Sequence, residues 1–137
     1  MAEESSSWVP ILRVKDAQVS AKFYREAMGF RVDWEHRFAD GFPLYMQISR
    51  SPLVLHLSEH QGGGTTAAEF FVRVPDVDAV YRAIVDQGIE TATEPSNQEY
   101  GMRDFCVVDP DGHRVTLGTP AGFPTEAHRS PEETSGE

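Results

Sequence analysis

The first half of this chain is written again, loosely, sixty residues later. Leu12-Arg13-Val14-Lys15-Asp16 lines up with Val72-Arg73-Val74-Pro75-Asp76. The same offset carries Tyr45 onto Phe105, Ile48 onto Val108, and Leu53 through Leu57 onto His113 through Leu117. Self-similarity over such a period marks one supersecondary unit used twice, and a unit that short buries its apolar face only by pairing with a copy. Pairing of two copies builds a cleft, and the side chains that face it become the first candidates for function.

Hydrophobic periodicity gives each copy the order βαβββ. In the first, a strand at 9–14 leads to Asp16, an N-cap for a helix in which Val19, Phe23 and Ala27 recur at four-residue spacing, and Gly29 stops it. Strands near 30–37, 43–50 and 53–59 follow. In the second, strand 68–74 leads to a helix capped by Asp76, with Val77, Val80, Tyr81 and Ile84 on one face and a stop at Gly88. Strands near 89–93, 102–108 and 113–118 complete it, the last two joined by the turn Asp109-Pro110-Asp111-Gly112. The fold class is therefore α+β, with two βαβββ repeats forming a curved mixed sheet, repeat one over 8–60 and repeat two over 68–118. Residues 1–7 and 119–137 are poor in apolar residues and read as a disordered and a flexible tail. Gly62-Gly63-Gly64 is a flexible linker between the copies; a phosphate loop would need a following Lys-Ser or Lys-Thr pair.

Composition narrows the class further. No apolar run approaches the roughly 18–20 residues needed to span a bilayer, and the first residues lack the basic and apolar regions of a secretory signal. Cys106 is the single cysteine, which excludes an intrachain disulfide, fits a cytoplasmic location and reads as a small core hydrophobe rather than a nucleophile. The net charge is −10, half of it in the two tails, and it argues against nucleic-acid binding. An acidic balance serves either a cationic ligand or plain solubility.

Strand alternation sorts the side chains. Leu53, Leu55 and Leu57 form a core row, as do Phe70, Val72 and Val74, and Val115 with Leu117. The opposite rows hold Tyr45, His56, Ser58, Glu69, Phe71, Phe105 and Thr116, too aromatic or too specific for plain surface. His113, beside the turn, is expected at the surface.

These residues together resemble the vicinal oxygen chelate superfamily, which includes glyoxalase I, extradiol dioxygenases and bleomycin resistance proteins. The likeness covers about residues 8–118 and rests on the paired βαβββ units, Leu12-Arg13-Val14-Lys15-Asp16, Phe23-Tyr24 followed by Met28-Gly29-Phe30, and Asp109-Pro110-Asp111-Gly112. It implies a homodimer with a cavity lined by strands of both chains. Enzymes of the superfamily hold a divalent metal with one residue from each of four strands, positions that fall on Val9, His56, Glu69 and Thr116 here. Val9 cannot ligate and the Thr116 hydroxyl is a poor donor, so the expectation is no metal and no cofactor, with His56 and Glu69 instead forming a charge-assisted hydrogen bond in the cavity wall. The alternative is a rebuilt site on His56 and Glu69, helped by His36, Glu59 or His60.

Within the superfamily the chain resembles bleomycin resistance proteins most. Val9-Pro10 is similar to their N-terminal strand, and Gln98-Glu99-Tyr100-Gly101-Met102-Arg103-Asp104-Phe105 to their Gln-Pro-Trp-Gly-Arg-Glu-Phe segment, with Glu99 and Tyr100 replacing their proline and tryptophan. The resemblance implies aromatics stacking on a planar drug while acidic groups meet its positive end. The ligand-binding residues expected are Trp34, His36, Tyr45, His56, Ser58, Glu59, Glu69, Phe71, Tyr100, Arg103 and Phe105, with no catalytic residue. Trp34 and Phe105 could equally be dimer-interface aromatics. Two readings stand: a binding protein that sequesters a cationic planar antibiotic of the bleomycin type, and a metal-dependent enzyme, lyase or dioxygenase, using His56 and Glu69. Neither requires a nucleic acid or a membrane as partner.

Overall fold

A computed structural model describes residues 6–121. The expected tails lie almost entirely outside the described residues. Two compact units emerge, one comprising the chain to Ala68 with the turn Asp109–His113, the other comprising Glu69–Val108 and the chain from Arg114. No described helix is long and apolar enough to cross a membrane.

In the first unit β1 (Ile11–Arg13), α1 (Ala17–Met28), β2 (Arg31–His36), β3 (Tyr45–Arg50) and β4 (Leu53–Ser58) form a four-stranded sheet of order β1-β4-β3-β2 with one helix. Strands β1 and β4 run parallel and the other pairs antiparallel. Asp16 caps α1 as expected, its carboxylate accepting from Gln18 and Val19 N–H, and Gly29 ends it in the left-handed region at φ 76°. The buried face differs from the expected one. Ala17, Ser20, Ala21, Tyr24, Ala27 and Met28 are inside, while Val19 is half-exposed. Small residues let the helix lie close to the sheet, and Tyr24 and Met28 are the large side chains it inserts, Tyr24 completely. The Tyr24 hydroxyl donates to Asp109 Oδ2 at 2.7 Å, and Asp109 also accepts from the N–H groups of Asp111 and His113. Leu12, Leu44, Met46, Ile48 and Leu57 complete this core, each worth roughly 1.5–3 kcal/mol of burial.

The second unit repeats the plan with β5 (Glu69–Arg73), α2 (Val77–Asp86), β6 (Ser96–Asn97), β7 (Met102–Val108) and β8 (Arg114–Pro120), in the order β5-β8-β7-β6. Asp76 caps α2, Gly88 follows its end at φ 81°, and Val77 and Ile84 are buried as expected. The expected strand at 89–93 is not regular. Ala92 and Thr93 bond to the Cys106 carbonyl, the Thr93 hydroxyl accepts from Cys106 N–H, and ladder pairing is confined to Ser96 and Asn97. Strand β8 continues to Pro120, two residues beyond the expected end.

Register exposes one departure from the sixty-residue offset. Gln47 pairs with His56, whereas Cys106 pairs with Thr116. The β4 and β8 strands thus keep the offset, while β3 and β7 are related by one residue less. The cause is the turn: Arg50 and Leu53 enclose two residues, Asp109 and His113 three. A slip of one residue turns every side chain of a strand to its other face.

The glycine linker also differs from expectation. Thr65 N–H donates to the Ile11 carbonyl and Arg13 N–H donates to the Thr65 carbonyl, so the segment is strapped along the free edge of β1. Gly64 has φ 72°, and a Cβ there would stand 2.9 Å from Arg13 N.

Candidate functional site

The face of the first sheet turned away from α1 carries the aromatic group. Trp34 reaches it through a β-bulge. Val32 pairs with Ile48 and Trp34 with Gln47, leaving Asp33 as the extra residue. In an unbroken strand Trp34 would share the side of Val32; the bulge aims it across at Tyr45 and His56 instead. Trp34 and Tyr45 are nearly parallel, with ring centroids 6.1 Å apart and planes 11° apart, and the His56 ring stands edge-on to both at 5.4 and 5.2 Å. Trp34 remains 42% exposed. A platform of flat rings, open on one side, suits a planar ligand.

A chain of hydrogen bonds locks this platform. Gln47 Nε2 donates to Asp33 Oδ2 at 3.0 Å, which turns Gln47 Oε1 toward His56 Nε2 at 2.9 Å. Since Oε1 can only accept, Nε2 carries the proton and Nδ1 accepts from the Tyr45 hydroxyl at 2.9 Å. Burial pushes the His56 pKa below the ordinary imidazole value, so the ring is neutral near pH 7 and Nδ1 is free to accept. Burial likewise pushes the Tyr45 phenol up. Hydrogen bonds from Ser49, Gln47 and Arg31 hold Asp33 below the usual carboxylate range, so the chain ends in a fixed negative charge beside the rings.

The corresponding face of the second sheet bears Glu69 and Phe71 on β5, Thr116 and Gly118 on β8, and Met102, Asp104 and Cys106 on β7. The Phe71 ring lies over Gly118: a Cβ there would come 2.7 Å from Phe71 Cζ and 3.0 Å from Asp104 Cβ. Tyr100 donates its hydroxyl to Asp104 Oδ2 in a short hydrogen bond, and that bond holds the phenol proton, pushing the pKa up to about 12. Glu69 faces Arg114 at 3.6 Å on the exposed rim.

Several expected site residues stand elsewhere. Phe105 is buried and packs edge-on against Tyr81 of α2 at 5.2 Å; the one-residue slip of β7 places it in the core row. Arg103, on that same side, makes a two-point ion pair with Asp78 of α2 at 3.0 and 3.1 Å. Glu59 is a structural tie, its two oxygens accepting from Ala17 N–H at the start of α1 and from Leu44 N–H. Ser58 lies on the platform face as the β4 partner of Tyr45, but it is buried and accepts from His60 N–H. His36 also shares the platform face, where it stands opposite Tyr45 in the ladder; it is exposed and packs edge-on against Phe38 at 5.0 Å. Far from the surface, His113 is fully buried. Its Nδ1 accepts from Ala68 N–H and its Nε2 donates to the Arg13 carbonyl. Gln47, Asp33 and Asp104 were missed. Gln47 follows Tyr45 in plain alternation and lacked only an aromatic or charged group to mark it, whereas the bulge brings in Asp33 and the slipped register Asp104, neither of them written in hydrophobic alternation.

The residues do not fit a metal centre. Both ring nitrogens of His56 are committed to protein partners, Glu69 pairs with Arg114, Val9 offers no donor, and no three His, Cys, Asp or Glu side chains converge among the described residues.

Comparison with known proteins agrees with this architecture. A family profile described as glyoxalase superfamily protein matches residues 4–120. The chain belongs to the glyoxalase superfamily. No curated protein sequence matches it significantly. Among solved structures it is similar to a bleomycin-binding protein complexed with bleomycin, at 27% identity and a TM-score of 0.65, covering 84% of this chain and 98% of that one. A bleomycin resistance determinant encoded on transposon Tn5 matches with the same identity, score and coverage. A glyoxalase-related enzyme from Clostridium phytofermentans shares the fold, with a TM-score of 0.71 at 19% identity, covering 85% of this glyoxalase-superfamily chain and 95% of the enzyme.

Proposed function

We propose that the protein is a metal-free small-molecule binder of the bleomycin resistance type, which sequesters a cationic planar antibiotic and works as a homodimer. The observation that carries this reading is the aromatic platform of Trp34, Tyr45 and His56, locked by Gln47 and anchored on the Asp33 carboxylate. A planar heteroaromatic ligand lies on the Trp34 face, its positive end drawn by the acidic surface. Stacking of this kind contributes about 0.5–1.5 kcal/mol per ring beyond area burial. Similarity to a protein solved in complex with bleomycin supports that drug class as the first ligand to test. The metal-dependent alternative loses support from the bonding of His56, because a ligating nitrogen would have to give up Tyr45 or Gln47.

Calorimetry of the full chain with metal-free bleomycin tests the reading. Saturable binding is expected, weakened by roughly 1–3 kcal/mol in Trp34→Ala, the usual effect of removing an aromatic anchor. Absence of binding up to about 100 µM drug, where affinity would be weaker than roughly −5.5 kcal/mol, together with no protection of a sensitive bacterium, would rule out bleomycin-type drugs.

A further inference from the structure

The open face of the second unit contains a carboxylate that its own fold leaves half used. Asp104 is only 5% exposed, yet among the described residues its one hydrogen-bond donor is the Tyr100 hydroxyl, on Oδ2. No described arginine, lysine or histidine lies within ion-pair distance of it. No fully buried side-chain oxygen among the described residues lacks a partner, so Asp104 Oδ1, which makes no hydrogen bond, is the carboxylate atom that stays reachable from outside. Its surroundings are those of an organic-cation site. The Phe71 ring, 48% exposed, lies over Gly118 beside the carboxylate, Met102 Cε closes the same spot, and Tyr100 is 55% exposed. Gly118 is what permits this, since any side chain there would displace the Phe71 ring. Aromatic faces and a carboxylate around one point attract an ammonium group through both the ring quadrupoles and the ionic contact.

We infer that Asp104, framed by Phe71, Met102 and Tyr100, is the counter-ion of a site in the second unit for an aromatic or alkyl ammonium ion. The inference rests on the proposed function for its ligand class, a cationic small molecule. Tyr100, donating to Oδ2, orients the carboxylate and leaves Oδ1 for the incoming N–H donor.

The test uses three probes sharing one ring: benzylammonium, benzyl alcohol and phenylacetate, titrated into the full chain while backbone amide shifts are followed. Benzylammonium should give saturable shifts at Phe71, Asp104 and Gly118 in the low millimolar range. Benzyl alcohol should bind at least about tenfold more weakly, a factor equal to about 1.4 kcal/mol, and phenylacetate should not bind there. Asp104→Asn, which keeps the shape and an acceptor for Tyr100, should lose at least about tenfold in benzylammonium affinity, and Asp104→Glu should restore part of it. Equal binding of the three probes by the native protein would overturn the inference, as would an unaffected Asp104→Asn or no saturation by about 20 mM. Because the native protein alone discriminates the probes, a poorly folded variant does not blunt the test. Failure of bleomycin to bind alongside selective benzylammonium binding would refute the drug assignment and keep the cation site; the reverse pattern would refute the cation site alone.

Discussion

His56 holds its proton on Nε2 because Gln47 and Asp33 leave it no other choice, and that fixes a pH response. Its folded pKa lies below the ordinary value of about 6.5. As pH falls through that value the unfolded chain binds a proton that the folded chain refuses, so stability from this residue is present above it and lost toward the lowered folded value. Native protein should therefore lose more stability between about pH 7.5 and 5.5 than His56→Gln does, measured by urea midpoints; equal losses would contradict the bonding pattern. Gly64 makes a second residue-scale prediction. Its positive φ and the contact of a built Cβ with Arg13 N mean that Gly64→Ala both strains and pushes apart the strap along β1. Destabilisation of about 2 kcal/mol or more is expected, and a midpoint unchanged in urea would show the strap to be loose.

Among the elements, α1 is tied to the turn after β7 by one buried hydrogen bond. Tyr24→Phe removes the donor from Asp109, whose negative charge and the burial of the ring together push the phenol pKa strongly upward in the native protein, burial being the larger cause. A loss of about 1–3 kcal/mol is expected, with Asp109→Ala costing more because two turn N–H groups lose their acceptor as well. Both are read from chemical denaturation. The existence of α1, α2 and seven of the eight strands was legible in the sequence, because caps at Asp16 and Asp76 and runs such as Leu53 to Leu57 express local preferences directly. Which face each presents was legible only where alternation is clean. Strand β4 was read correctly, but β7 is apolar on both sides, and a turn one residue longer than its counterpart reversed it. Phe105 and Arg103 were thereby assigned outward and Asp104 overlooked. The face of α1 was misjudged for a related reason: a fourfold spacing of Val19 and Phe23 outweighed the alanines and a tyrosine whose partner lies 85 residues away. His113 was placed at the surface because its partners, Ala68 N–H and the Arg13 carbonyl, are backbone groups with no signature in sequence.

At the scale of the whole molecule, repetition has produced two similar sheets with unlike faces. One carries stacked rings around a neutral imidazole, the other a buried carboxylate under a phenylalanine. Trp8, Val9 and Ile11, in and just before β1, are exposed, and apolar residues clustered in that number at a surface are normally covered by a partner. A homodimer is accordingly predicted, and sedimentation at micromolar concentration should report about twice 15.3 kDa; a monomer would refute that part of the proposal. The central claim is that the Trp34 platform receives a planar cationic ligand, and the most direct measurement is fluorescence of Trp34 alone. In a Trp8→Phe background Trp34 is the only tryptophan of the chain. Titration with metal-free bleomycin should change its emission saturably, with the same affinity that calorimetry gives, and Tyr45→Ala should weaken that affinity by roughly 1–3 kcal/mol. Emission that stays constant while calorimetry reports binding would mean that the ligand sits elsewhere, and would contradict the claim.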